Sequence, residues 1–228
     1  MALFHSPIIV TDGLVLCLDA GNAKSYPGSG TTWTDLSGNG NNGTLTNGPT
    51  YSSSNGGSIV FDGTNDYVNL TSASLLPVGT SDRTIVAFVR TPTSFPEAYL
   101  HVIHWGTAST DQSFGLAIFS NGGLNTHPWV GAPSQGTVVV GTDYCLAVSY
   151  THSSTLHKFW INGVSQGAGV SRAINTGTTD ARVGARISTP IEDWGPNGKI
   201  YNVLVYNRTL TDNEIQQNFN ATRSRFGI

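Results

Sequence analysis

Short runs of aliphatic and aromatic residues recur along the chain, separated by clusters of Gly, Asn, Ser and Pro. Many short β-type runs between turn signals predict a sandwich or barrel. The predicted strands are Leu14–Leu18, Ser58–Phe61, Tyr67–Leu70, Thr84–Arg90, Tyr99–His104, Phe114–Phe119, Tyr144–Tyr150, Leu156–Ile161, Ala181–Val183 and Lys199–Tyr206. In Thr84–Arg90 both alternating sets are apolar, with Ile85, Ala87 and Val89 on one face and Val86 and Phe88 on the other. Such a strand belongs in the middle of a covered sheet. Asn162-Gly163 stands between Phe159-Trp160-Ile161 and Val164. It supplies the two positive-φ residues of a type I′ hairpin turn. One helix is marked, from Asp212 to Thr222. Thr211 reads as its N-cap, Glu214 as the N3 partner of a capping box, and Leu210 with Ile215 as a hydrophobic staple. Ile215 and Phe219, four apart, then face the sheet.

The length of 228 residues suits a single all-β domain with one sizeable core. Only 11% of the residues are charged, so Ser, Thr, Asn and Gly must build the surface. That surface suits neutral polar ligands such as sugars. A net charge of −3 with no run of Lys or Arg argues against nucleic acid and anionic membranes as partners. Cys17 and Cys145 each lie in an apolar stretch and no CxxC occurs, which predicts buried free thiols, with a disulfide as the minority reading. The opening MALFHSPIIVTDG has neither a cationic start nor a long apolar core, so no signal peptide and no membrane span are expected. Residues 12–222 are expected to form the domain, with 1–11 an N-terminal arm and 223–228 a C-terminal tail. The apolar Leu3, Phe4, Ile8, Ile9 and Val10 of that arm need a cover, either the parent domain itself, as an extra strand, or a neighbouring subunit, and the neighbour is the favoured expectation.

Several motifs in order resemble a known family. They are Gly13-Leu14-Val15-Leu16-Cys17-Leu18-Asp19, Asp35-Leu36-Ser37-Gly38-Asn39-Gly40 and Phe61-Asp62-Gly63-Thr64-Asn65-Asp66-Tyr67. Phe159-Trp160-Ile161-Asn162-Gly163 and the closing run Gly198–Leu210 with its capped helix follow. Together they resemble laminin-G-type domains of concanavalin A-like fold. The resemblance implies a two-sheet antiparallel jelly roll with one short C-terminal helix. Ser6-Pro7, Thr11-Asp12-Gly13 and the end from Gln217 to Ile228 are similar to single-domain versions encoded by tailed bacteriophages. That narrower resemblance implies a virion surface protein, made in the host cytoplasm, with virion proteins and cell-surface glycans as partners. A purely structural capsid cement is the rival expectation.

Candidate chemistry is sparse. Hydrolases of this fold carry Glu-x-Asp-x-Glu, which sets carboxylates on one face of a strand. This chain has only Glu97, Glu192 and Glu214, and none stands in such a pattern. Retaining hydrolysis needs two carboxyl groups roughly 5–5.5 Å apart, so no enzyme is expected. Gly163-Val164-Ser165-Gln166-Gly167 fits a nucleophile elbow, but it follows a hairpin and leads into no helix. His101 and His104, three apart in a strand, are expected to point to opposite sides and share no metal. His152 and His157 read as solvated histidines flanking a turn. Two readings stand for the Asp62–Asp66 turn: capping of its own backbone donors, or calcium, which takes six to eight oxygens. Likeness to the pentraxins, which share this sandwich, implies calcium on Asn65 and Asp66 and, less closely, on Glu192 and Asp193. Trp33, Trp129 and Trp194 lie in polar loop-like surroundings. Each is either an anchor packed on the sandwich or a platform for a sugar ring, with Trp194 the preferred ligand contact.

Overall fold

The computed structural model describes residues 8–95, 98–129, 133–187 and 194–228. The first strands are β1 (Leu14–Asp19), β2 (Thr32–Trp33), β3 (Gly43–Thr46), β4 (Thr50–Ser52), β5 (Ser58–Val60), β6 (Tyr67–Leu70) and β7 (Arg83–Arg90). There follow β8 (Tyr99–Gly106), β9 (Ser113–Phe119), β10 (Gly123–Asn125), β11 (Ser134–Thr137) and β12 (Asp143–Thr151). The last are β13 (Leu156–Ile161), β14 (Val164–Ser165), β15 (Val170–Ser171), β16 (Asp180–Val183) and β17 (Lys199–Tyr206), before the helix α1 (Asp212–Thr222).

The strands form two antiparallel sheets. The first runs β14-β13-β12-β7-β17-β5-β4, with β1 also paired to β17 and β15 to β13. The second runs β11-β10-β9-β8-β16-β6-β3-β2. The inner faces meet in one core, where Ile85, Ala87 and Val89 of β7 join Trp33, Leu100, Trp105, Phe114, Val183 and Trp194. The other face of β7, with Val86 and Phe88, lies under Ile215 and Phe219 of α1. The doubly apolar strand is therefore central and covered on both sides, as its pattern requires. The predicted turn forms at Asn162 (φ 50°) and Gly163 (φ 78°). The capping box of α1 is complete, with Glu214 N–H donating to Thr211 Oγ1 and Thr211 N–H to Glu214 Oε2.

The described parts of both chain ends pack on the domain. From Ile8 onward the arm docks on its own domain. Val10 N–H donates to Asn218 Oδ1 at 2.8 Å, and the Tyr206 hydroxyl donates to Val10 O at 2.9 Å. The tail docks too: Phe226 stacks on Tyr201 and lies against Phe88. Residues 1–7 lie outside the described residues. Cys17 and Cys145 are buried free thiols. Among the described residues no helix is long and apolar enough to cross a membrane.

Candidate functional site

With α1 packed on the first sheet, the unusual side chains gather on the outer face of the second. Strand β8 pairs with β9 in regular register from Tyr99↔Phe119 to His101↔Ala117, then resumes at Ile103↔Leu116. One residue of β8 is extra. Val102 and Ile103 both enter the core, so the alternation slips by one, as a β-bulge allows. His101 and His104 consequently share the outer face, with ring centroids 4.8 Å apart. This corrects the expectation that they diverge, which assumed strict alternation.

His127 completes a triad. It follows β10 in a short segment held by several hydrogen bonds. Gly115 N–H donates to Thr126 O, Ser113 Oγ and His104 Nε2 donate to His127 O, and Asp111 N–H donates to Pro128 O. His101 Nε2 lies 2.8 Å from His127 Nδ1. Room for the rings comes from small partners on β9. Gly115 faces His104 and Ala117 faces His101. A Cβ on Gly115 would stand 3.0 Å from the His104 ring and 2.4 Å from the Ile103 carbonyl. Burial pushes the pKa of all three imidazoles down, that of His127 to about 4, with Arg186 acting in the same direction. The rings are thus neutral near pH 7, with nitrogen lone pairs available. Among the described residues this is the one cluster of three His, Cys, Asp or Glu side chains placed to hold a metal ion.

Above the triad lies an aromatic layer. Tyr99 stacks on His127 at 4.0 Å. Trp129 stacks on His127 at 5.8 Å and on His104 at 6.5 Å, and the Arg186 guanidinium sits over its ring at 5.4 Å. Trp129 remains partly exposed, and it has φ 79° while His127 has φ 38°. Non-glycine residues rarely adopt positive φ, and such strain clusters at ligand sites. Beside this layer, register aligns Thr44, Asn69, Arg182 and His104 in one row across β3, β6, β16 and β8. Arg182 stacks on Tyr67 at 4.9 Å and binds Asp180 at 2.7 Å.

Residues 62–216, more than half of the chain, match the concanavalin A-like lectin/glucanases superfamily of laminin-G type. The chain belongs to this superfamily. A Trypanosoma rangeli sialidase bearing difluorosialic acid as a covalent intermediate is similar at TM-score 0.68 and 16% identity. The match covers 98% of this chain and 37% of the sialidase. The binding domain of Paraclostridial Mosquitocidal Protein 1 matches at TM-score 0.67 and 15% identity, over 92% of this chain and 52% of that one. Domain 4 of an extracellular arabinanase from Geobacillus stearothermophilus, solved with arabinotriose, matches at TM-score 0.64 and 17% identity, over 90% of this chain and 97% of that domain. The chain spans about a third of the length of the first sialidases it matches. No curated protein sequence matches it.

Within this concanavalin A-like sandwich, Trp33 and Trp194 are wholly buried. Trp194 Nε1 donates to Arg90 O. Neither ring shows a face to solvent, so the anchor reading replaces the sugar-platform expectation for both, and Trp129 alone of the three keeps an exposed surface. At the Asp62–Asp66 turn, Asp62 Oδ1 accepts from Thr64 N–H and the buried Asp66 Oδ2 accepts from Asp62 N–H. Asn65 is exposed, and its carbonyl accepts from Asn47 Nδ2. Both carboxylates thus cap backbone donors. Glu192 and Asp193 lie outside the described residues, as does Glu97. Gly63 lies against Pro196, so the turn does adjoin the segment that follows 193. His157 is buried with Nε2 2.9 Å from Arg172 O, while His152 is exposed, so they form no pair. A cleft of about 300 Å³ opens on the opposite side, lined by Ile9, Cys17, Asn202 and Arg225 among others. Its charges, Asp19 and Arg225, already bind each other through two hydrogen bonds, which leaves the second sheet as the site of interest.

Proposed function

We propose that this chain is a non-catalytic glycan-binding module displayed on a virion surface, with the outer face of its second sheet as the binding face. Trp129 carries the reading. A sugar ring has an apolar C–H face and a polar rim, so it stacks on a partly exposed aromatic ring while neighbouring polar groups take its hydroxyls. Trp129, partly exposed, stacks on His104 and His127 with the Arg186 guanidinium over its ring, and Asn69, Thr44 and Arg182 lie along the same face. The fold likeness to an arabinanase domain solved with arabinotriose and to a toxin's binding domain supports the class. The absence of catalysis rests on carboxylates. Among the described strands of the second sheet Asp180 is the sole one, and Arg182 already binds it. A retaining hydrolase needs a second carboxylate beside the first. The virion part rests on the likeness of both chain ends to single-domain phage versions. Calcium at Asn65 and Asp66 belongs to the same proposal as a ligand of the rim.

A glycan array in calcium and in chelator, run with wild type and Trp129→Ala, is the test. The expected result is binding of neutral oligosaccharides by the wild type, weakened about tenfold or more in the variant, as the loss of one stacked ring implies. Calcium should also raise the melting temperature of metal-free protein, and Asp66→Asn should flatten that rise. Equal melting in calcium and chelator would leave only the turn-capping role of Asp66. A folded wild type that retains no glycan would favour the second reading, a structural cement. Val164, 61% exposed on the edge strand β14, supports that alternative by offering an apolar edge to a neighbour.

A further inference from the structure

We infer that His101, His104 and His127 form a binding site for a divalent transition-metal ion of the zinc class. One ring nitrogen from each residue lies within 4.8 Å of the other two. A tetrahedral zinc site with Zn–N bonds of about 2.0–2.1 Å spaces its nitrogens about 3.3 Å apart. Ring rotations that bring the edges of this triangle from at most 4.8 Å to about 3.3 Å would complete the site. The donor set is all imidazole, which suits zinc, copper or nickel and not calcium or magnesium. This site is therefore chemically distinct from the rim oxygens of Asn65 and Asp66.

The hydrogen bonding points the same way. His104 Nε2 donates to the His127 carbonyl at 3.2 Å, the kind of outer bond that fixes the tautomer of a metal-binding histidine. Its Nδ1 accepts from the Ile187 N–H at a long 3.4 Å, a weak bond that an ion would replace. His101 Nδ1 is fully buried and has no hydrogen-bond partner. If His101 Nε2 donates to His127, a buried lone pair is left over at Nδ1. If it accepts, a buried N–H is left over. Either deficit costs free energy in a site closed to water, and in the first tautomer an ion ligated by Nδ1 removes it. Three protein nitrogens also leave a fourth coordination position open. The inference needs no glycan and stands or falls apart from the proposed function.

Zinc and cobalt are the probes. Full-length protein is stripped with a chelator, reloaded with zinc sulfate, and its bound metal counted by mass spectrometry. The expected stoichiometry is about one zinc per chain, with a melting temperature several degrees higher and visible bands when cobalt replaces zinc. His101→Gln and His127→Gln should each lose at least tenfold in zinc affinity, whereas His152→Gln should keep it. Because those triad variants alter buried residues, X-ray absorption on the zinc-loaded wild type provides an independent check. Three imidazole nitrogens at about 2.0–2.1 Å are expected. A reloaded wild type that stays metal-free, a shell of oxygens alone or one containing sulfur, or unchanged zinc affinity in folded His127→Gln would each overturn the site.

Discussion

Burial fixes the charge of four histidines before any ligand does. His101, His104, His127 and His157 all have pKa values pushed below the ordinary 6.5 by desolvation, those of His127 and His157 to about 4. Between about pH 6.5 and 4 the unfolded chain therefore binds protons that the native chain refuses, and stability falls as pH falls through that window. Above about pH 6.5 both states are neutral at these sites and the full stability is present. Denaturation midpoints measured from about pH 7.5 to pH 4.5 should drop steadily. His157→Gln, which lies outside the triad, should lower the slope by roughly one proton. At this scale the sequence was only partly legible. His101 and His104 were visible in one strand but read as diverging, because their common face depends on a one-residue bulge. Val102 and Ile103 look identical to two ordinary inward and outward strand positions. His127 is distant in sequence, and nothing in its surroundings ties it to the pair. Gly115, an isolated glycine inside a strand run, was the one available hint, since such a glycine often marks a bulge or a close approach. Trp33 and Trp194 misled because polar neighbours in sequence do not prevent burial by residues from elsewhere.

Single elements were read more accurately where local chemistry decides them. The Asn-Gly hairpin and the Thr211–Glu214 cap are encoded within a few residues, so one chain suffices to recognise them. Several strands of two to four residues, such as β2, β10 and β15, lack room for a clear period and were missed. Strand β7 also has a feature that its pattern hid. Arg83 at its start is fully buried, and among the described residues no carboxylate pairs with it. Instead its guanidinium donates to the carbonyls of Ser81, Pro77 and Gly79 and to Thr176 Oγ1, and it lies over the rings of Phe114 and Tyr150. It thereby ties the 77–81 turn to the sandwich. Lysine cannot span this planar fork of acceptors. Arg83→Lys should therefore cost on the order of 3 kcal/mol in denaturant unfolding, since buried carbonyls would be left without donors. A loss within a few tenths of a kcal/mol would show that the turn holds without the guanidinium.

For the whole molecule, the superfamily fold was legible because several motifs recur in order across both sheets, while the docking of the ends was not. An apolar arm ahead of the first motif reads the same whether it covers its own domain or a neighbour. Removal of residues 2–10 should now destabilise the isolated domain, because Asn218 and the Tyr206 hydroxyl lose Val10, their buried partner. A melting temperature unchanged by the deletion would return the arm to an external role. The same docking has a geometric consequence. Ile9 and Val10 and the final Phe226 and Ile228 join one apolar cluster on the outer side of the first sheet. Any anchor attached near either terminus must pull on that side. The opposite wall of the sandwich, with Trp129 upon it, is then turned away from the anchor, so a tethered copy would hold its aromatic face towards the surroundings like an outstretched palm.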